Sequence, residues 1–314
     1  MSTLTRARAL RVLGAAPLAE LPLAARAQGA PAIRFGTSPT AESYLLPVFA
    51  LEAGIFTRHG LNVSIVSLPN AGAISAALVG GAIDVAVLDP ILIANGVSHG
   101  VPLAFFAGGG MYRSEASTSA LCVAPDSPLR IARDFEGKTV GVISLSSLST
   151  LGVKAWLASG GANVESVRFF EIPYSLMVPA LNRGTLNAAF VSEPFLSETK
   201  GSVRAVANAY DAIGKAFLIN SCYTSRSWIA QNGPTVKRLT EALDETVRWA
   251  NTHHDDSAPI TAKYASLSLD TVRKMTRLQF GSLDPKMLQP VLDVAVRFKS
   301  IDKHVDAADL VASG

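Results

Sequence analysis

An α/β fold built from two similar lobes is predicted by three observations on this 314-residue chain. The first is an internal repeat. Ala77-Leu78-Val79-Gly80-Gly81-Ala82-Ile83-Asp84-Val85-Ala86 returns 103 positions later as Ala180-Leu181-Asn182-Arg183-Gly184-Thr185-Leu186-Asn187-Ala188-Ala189. The shared pattern A-L-x-x-G-x-[IL]-[DN]-x-A reads as a helix end, a glycine turn and a buried strand. Upstream, Phe35-Gly36 matches Val140-Gly141, Gly54 matches Gly160, and Pro69 matches Pro173. The second observation is the alternation of strand-like and helix-like segments over the first two-thirds of the chain, which indicates mostly parallel sheets. The third is the near-continuous apolar character of strands such as 83–88, which suits a sheet covered on both faces.

Each element has a local reason. The segment 33–36 opens as a strand, and Thr37, Ser38, Pro39 and Thr40 supply start residues for an apolar-periodic helix over 43–53 ending at Gly54. Alternation over 61–68 predicts a half-buried strand stopped by Pro69. A short helix over 71–79 closes at Gly80-Gly81, and the strand 83–88 follows. Asp89-Pro90 then reads as N-cap and first residue of a helix over 91–99. Residues 103–107 form another buried strand, ending in Gly108-Gly109-Gly110-Met111-Tyr112. The second copy has a strand at 138–143, a Ser/Thr-rich turn over 144–150, and a helix to 159. A strand at 167–172 stops at Pro173-Tyr174, a helix ends near Arg183-Gly184, and a strand at 188–191 runs into Ser192-Glu193-Pro194. Residues 217–224 return towards the first lobe. The remainder is predicted helical, over 234–252, 260–266, 269–280 and 286–298, and is expected to pack on the first lobe.

Hydrophobic residues make up 49% of the chain and charged residues 17%, the balance of a folded globular protein. Residues 1–27 read as an export signal: Arg6, Arg8 and Arg11 precede a mostly apolar stretch, and Ala25-Arg26-Ala27 fits a cleavage site. Its removal takes the formal charge from +3 to neutral. Scattered Lys and Arg without a basic stripe argue against a nucleic-acid partner. Beyond the signal, the most apolar stretch, 82–107, is broken by Asp84, Asp89, Pro90, Asn95 and His99, so no run of the ~20 apolar residues that span a bilayer is predicted. The two cysteines, Cys122 and Cys222, lie on alternating apolar segments. They read as core residues, with a disulfide at the lobe junction as the alternative.

In open parallel sheets, ligands sit beyond the carboxyl ends of strands, at loops leading into helix N-termini. Applied to both copies, that rule selects Thr37, Ser38 and Thr40, then Asn70, Asp89, Met111 and Tyr112 in the first half. In the second it selects Ser146, Ser147, Ser149, Tyr174, Ser192 and Glu193. Free N–H groups at helix starts favour an anion by about 0.3–1 kcal/mol each. Glu193 is suited to an amine or ring N–H, and as Ser-Glu-Pro it also makes an ordinary helix start. The same Ser and Thr residues also serve as N-caps without any ligand.

Enzyme chemistry finds little support. There is no G-x-S-x-G elbow, phosphate loop or dinucleotide fingerprint, and no cofactor is indicated. His253-His254-Asp255-Asp256 invites a metal reading, but adjacent helical residues point about 100° apart, so a polar helix terminus is preferred.

At this point the chain resembles the periplasmic solute-binding proteins of ABC importers, of the nitrate/taurine/alkanesulfonate type. The thiamine-pyrimidine-precursor binders and synthases share that superfamily. The resemblance rests on Glu52-Ala53-Gly54-Ile55-Phe56 with Gly60-Leu61-Asn62-Val63, on the run from Gly81 to Ala86, and on Asp134-Phe135-Glu136-Gly137-Lys138-Thr139-Val140-Gly141. Leu181-Asn182-Arg183-Gly184 with Ala188-Ala189, and Glu193-Pro194-Phe195, complete it. It covers about residues 33–310 and implies a type II periplasmic-binding-protein fold, two α/β lobes joined by two crossover strands that close on a ligand. The expected division is lobe I at 33–120 and 222–314, and lobe II at 121–221. The expected role is capture of a small anionic organic molecule by a periplasmic monomer that delivers it to a membrane permease. A pyrimidine-precursor binder or synthase and a periplasmic ligand sensor are the alternatives. The synthases rely on a cysteine-rich segment, which two isolated Cys do not supply. Relatives often carry Trp before the Glu-Pro pair, where this chain has Ser192, so taurine or alkanesulfonate is not carried over as ligand.

Overall fold

The computed structural model describes residues 32–39, 41–199 and 201–312. The predicted export signal and Thr40 therefore lie outside the described residues. The chain opens with β1 (Ile33–Thr37), a 3-10 turn at Glu42–Tyr44, and α1 (Leu46–Glu52). Gly54, at φ +68°, does not end the helical segment but turns it into α2 (Ile55–Arg58), a left-handed geometry glycine adopts without strain. Then come β2 (Val63–Ser67), α3 (Ala71–Val79), β3 (Val85–Leu88), α4 (Pro90–Ser98) and β4 (Leu103–Ala107). The next strands are β5 (Gly109–Arg113) and β6 (Ser119–Val123). The second copy follows as β7 (Thr139–Val142), α5 (Leu148–Ser159), β8 (Arg168–Glu171), α6 (Tyr174–Asn182) and β9 (Ala188–Ser192), with β10 (Arg204–Ala207) after it. The return segment is two strands, β11 (Ala216–Leu218) and β12 (Ser221–Ser225). After α7 (Arg226–Gln231) and α8 (Gly233–Thr252) come α9 (His254–Ala265) and α10 (Leu269–Lys274). The predicted last third of the 269–280 helix is instead β13 (Gln279–Gly281). The chain finishes with α11 (Pro285–Arg297) and α12 (Ala307–Leu310).

Two five-stranded sheets carry the repeat. Their orders are β2-β1-β3-β12-β4 and β8-β7-β9-β6-β10, and in each the first three strands are parallel. The fourth strand runs antiparallel and comes from a segment that has crossed between the sheets. A third sheet, β11-β5-β13, joins them, and its β5 and β11 are the two crossover strands. The expected boundary at 120/121 falls inside β6.

The repeat does the same physical work twice. Gly81 and Gly184 take left-handed turns at φ +71° and +70°. A Cβ on Gly36 of β1 would lie 2.3 Å from Ile83 Cδ1, and one on Gly141 of β7 would lie 2.5 Å from Leu186 Cδ1. Asp84 Oδ2 accepts the backbone N–H of Arg34 (2.8 Å), as Asn187 Oδ1 accepts that of Thr139 (2.9 Å). The glycines thus admit the apolar residue of the strand-entry turn, and the Asp/Asn ties that turn to the neighbouring strand.

Helix α8 buries Val236, Leu239, Leu243 and Val247 against α1 and the first sheet, in the core containing Phe35, Phe49 and Phe280. Helix α11 differs from expectation. Its Leu288, Val291 and Leu292 share one core with α4, β11 and Leu148 and Leu151 of α5, so it touches both lobes. Among the described residues no helix is long and apolar enough to cross a membrane. Cys122 on β6 and Cys222 on β12 are free, buried and held in different sheets, which corrects the disulfide alternative. His253 stacks on Trp249 with ring centroids 5.5 Å apart, a helix-end contact.

Candidate functional site

The carboxyl ends of both parallel strand sets converge on one cavity of about 600 Å³. From the first half it is lined by Ser38 after β1, Tyr44 in the 3-10 turn, Asn70 before α3, and Asp89 between β3 and α4. From the second half come Ser147 and Ser149 at the start of α5, Tyr174 at the start of α6, and Ser192 and Glu193 after β9. Thr118, Tyr210 and Asn220 complete the walls near the crossover. A volume of this size suits a small organic molecule.

Helix starts shape the polar part of the wall. Asn70 Oδ1 accepts from Ala73 N–H (2.9 Å) at α3, and Asp89 Oδ1 accepts from Ile91 N–H (2.7 Å) at α4. At α5, Ser147 Oγ accepts from Thr150 N–H (3.4 Å) and lies 2.7 Å from Ser149 Oγ. The Ser/Thr-rich turn is thereby a hydrogen-bonded unit rather than a row of free hydroxyls. Tyr174 stacks on Phe195 with centroids 6.4 Å apart. Burial pushes its hydroxyl up to about 12, against the hydrogen bonds of the Ser192 and Ser149 hydroxyls. Tyr210 packs on Tyr112, Phe190 and Phe217 at 5.2, 5.0 and 5.6 Å.

The electrostatics are set by what surrounds the two carboxylates. Asp89 is half-buried, open to the cavity but shielded from bulk water, and that burial raises it to about 7 against the single opposing N–H of Ile91. Burial also raises the hydroxyls of Tyr44 and Tyr210, and the charge of Asp89 adds to both. Glu193 is differently placed. Its oxygens accept from Ser197 N–H (3.0 Å), Ser197 Oγ (2.8 Å) and Thr276 N–H (3.2 Å). Residues 193–196 form turns, not the helix start that Ser-Glu-Pro suggested. Among the described residues, no Lys, Arg or His lines the cavity.

Some strand-end candidates fall elsewhere. Thr37 is buried and donates from Oγ1 to Tyr44 O (2.6 Å), so it anchors the 3-10 turn. Met111 and Tyr112 lie inside β5, not at a strand exit. Tyr112 donates to Asp211 Oδ1 (2.8 Å) and backs Tyr210 from behind. Ser146 is exposed outside the cavity, within 3.2 Å of Ser144 Oγ. Sequence reasoning missed Tyr44, Tyr210 and Asn220. Tyr44 follows the predicted loop after β1 closely enough to have been included. Tyr210 and Asn220 sit in connections that the strand-end rule does not reach. Asn220 accepts from Gly110 N–H (2.7 Å) and donates to Ser43 O (2.9 Å), tying the crossover to the cavity wall.

This arrangement matches known proteins in fold. The periplasmic aliphatic sulphonate binding protein SsuA of Escherichia coli superposes with a TM-score of 0.74 at 18% identity, covering 90% of this chain and 93% of that one. The alkanesulfonate-binding protein SsuA of Xanthomonas axonopodis pv. citri, bound to MOPS, gives 0.70 at 19% identity over 90% and 98%. The desulfurization enzyme DSZB shares the fold as well, at 0.63 and 16% over 90% and 96%. In sequence, a Brucella abortus protein named only as a binding protein is 25% identical over 298 residues, 88% of this chain and 86% of its own length. The bicarbonate transport ATP-binding protein CmpC of Synechocystis sp. is 29% identical over 171 residues, 47% of this chain. The match spans only 24% of CmpC. The two-lobed α/β fold is thus the one carried by the periplasmic solute-binding proteins that the sequence resembles. Residues 26–266 match the model of the NMT1-like family, and the chain belongs to that family.

Proposed function

We propose that this protein is the solute-binding component of an ABC importer, exported to the periplasm, which captures a small organic molecule between its lobes and delivers it to a membrane permease. The observation that carries this reading is a cavity lined by both halves of the repeat and by Thr118, Ile219 and Asn220, which lie next to the crossover strands. A site assembled from two lobes is completed when they close, which couples occupancy to a shape a permease can read. The helix starts at Asn70 and Ser147, with the nearby hydroxyls, support an acidic group on the ligand. The tyrosine rings support a planar or apolar body.

Binding is favoured over catalysis by the chemistry of the walls. Both cysteines lie within sheets away from the cavity, and its serines have no histidine beside them to act as base. Thermal-shift screening of the mature protein against sulfonates, carboxylates, nitrate and pyrimidines tests the proposal. At one hundred times Kd a ligand adds about 2.7 kcal/mol, an increase of roughly 5 °C or more in Tm. A flat response across the panel, with no co-purified ligand by native mass spectrometry, refutes it. Uptake reconstituted with the cognate permease separates transport from sensing.

A further inference from the structure

We infer that the ligand of this cavity is an organic acid that also carries a nitrogen donor, an ammonium or an N–H group, and that Asp89 is the residue that selects it. The inference rests on the solute-binding reading above and names the class of solute.

Asp89 lines the cavity with only one of its oxygens engaged. Oδ1 takes the Ile91 N–H at the start of α4, while among the described residues none donates a hydrogen bond to Oδ2. Glu193, the other carboxylate on the wall, accepts from Ser197 N–H, Ser197 Oγ and Thr276 N–H. A carboxylate shielded from water without a partner is costly, and a cap does not require one. Asn70, Ser147, Ser225 and Ser268 cap helices in this same chain with neutral side chains. The carboxylate caps Asp284 and Asp306 make their hydrogen bonds at exposed helix starts, where water solvates the charge. Asp89 alone among these carboxylate caps faces the cavity.

The surroundings define what would satisfy it. Without a basic side chain on the walls, the ligand has to bring the positive or donating group. Tyr44, Tyr174 and Tyr210 line the same space, and aromatic faces attract a cation. A purely anionic molecule would instead meet an unopposed carboxylate. Burial raises the Asp89 carboxyl against the one opposing N–H of Ile91, in agreement with a carboxylate that has no cationic partner among the described residues.

Shape-matched probe pairs test this: 4-(aminomethyl)benzoate against 4-methylbenzoate, and 3-aminopropanesulfonate against propanesulfonate. Each is titrated calorimetrically into wild type, Asp89→Asn and Asp89→Ser, both of which keep an N-cap for α4. Native mass spectrometry of the protein purified from cells reads the elemental composition of any retained ligand. The expected result is at least a tenfold preference for the aminated member in wild type, reduced to threefold or less in both variants with no fall in Tm. A nitrogen-free retained ligand, equal binding of both members, or a preference unchanged in the variants overturns the nitrogen claim and leaves solute binding intact. Failure of wild type to bind any probe or retain any small molecule overturns the solute-binding reading and this inference with it.

Discussion

Replacing Asp89 by Asn should stabilise the empty protein, and by an amount that depends on pH. Burial raises the Asp89 carboxyl from its ordinary 3.8 to about 7. The folded state therefore holds this proton more tightly than the unfolded state does. Its effect on stability is most favourable below 3.8, declines as pH rises through the window from 3.8 to about 7, and is constant above it. At about 1.36 kcal/mol per pH unit the full window corresponds to roughly 4 kcal/mol. Water in the cavity screens the charge, so about 2 kcal/mol is the expected loss at pH 8. Asn keeps the acceptor for Ile91 N–H and carries no charge. The variant should match wild type to within about 1 kcal/mol near pH 4.5 and exceed it by about 2 kcal/mol, roughly 3–4 °C in Tm, near pH 8. Differential scanning calorimetry of both proteins without ligand, from pH 4.5 to 8, measures this difference directly. A constant difference across the range, or a variant less stable than wild type at pH 8, refutes the reasoning, because either would mean that the Asp89 charge is well accommodated in the empty protein. Stability gained at the expense of ligand selection is the usual trade at a binding site.

Three further outcomes follow from packing and charge. Gly108→Ala places a Cβ 1.9 Å from the Gly281 carbonyl oxygen, a backbone atom that cannot move aside, so a loss of about 3 kcal/mol or more is expected. A melting curve like that of wild type would contradict the close approach. Arg277 and Glu42 form an ion pair with side chains only 10% and 8% exposed, in which Glu42 also accepts the Leu278 N–H. Arg277→Met strands the Glu42 charge and should cost about 3–5 kcal/mol in urea unfolding, with much of the loss recovered by adding Glu42→Gln. Burial pushes the Cys122 thiol up to about 12 and raises that of Cys222 as well. A thiol reagent should find no reactive cysteine in the native protein and two after denaturation without reductant; fewer than two would mean a disulfide.

The repeat that stands out in the chain turned out to encode the architecture in some detail. The contacts of Gly36 with Ile83 and of Gly141 with Leu186, and the ties of Asp84 to Arg34 and of Asn187 to Thr139, join strands about 50 residues apart, yet they recur at matching places in both copies, so residue type and the repeat spacing suffice to reveal them. The same holds for the caps Asn70, Asp89 and Ser147, whose partners lie two or three residues away. What the sequence could not decide depends on contacts between distant segments. The crossover strands β5 and β11 are short and apolar like any strand, and only their pairing with each other and with β13 places Met111 and Tyr112 inside a sheet. Tyr210 and Asn220 carry no periodic or capping signal, and they reach the cavity because long-range packing brings their loops to it. The solvation of Asp89 is a tertiary property too. In sequence it is an N-cap like Asp284 or Asp306. Only the closing of strand ends, tyrosine rings and crossover around it makes its charge costly, because shielding from water depends on everything nearby and not on the residue itself.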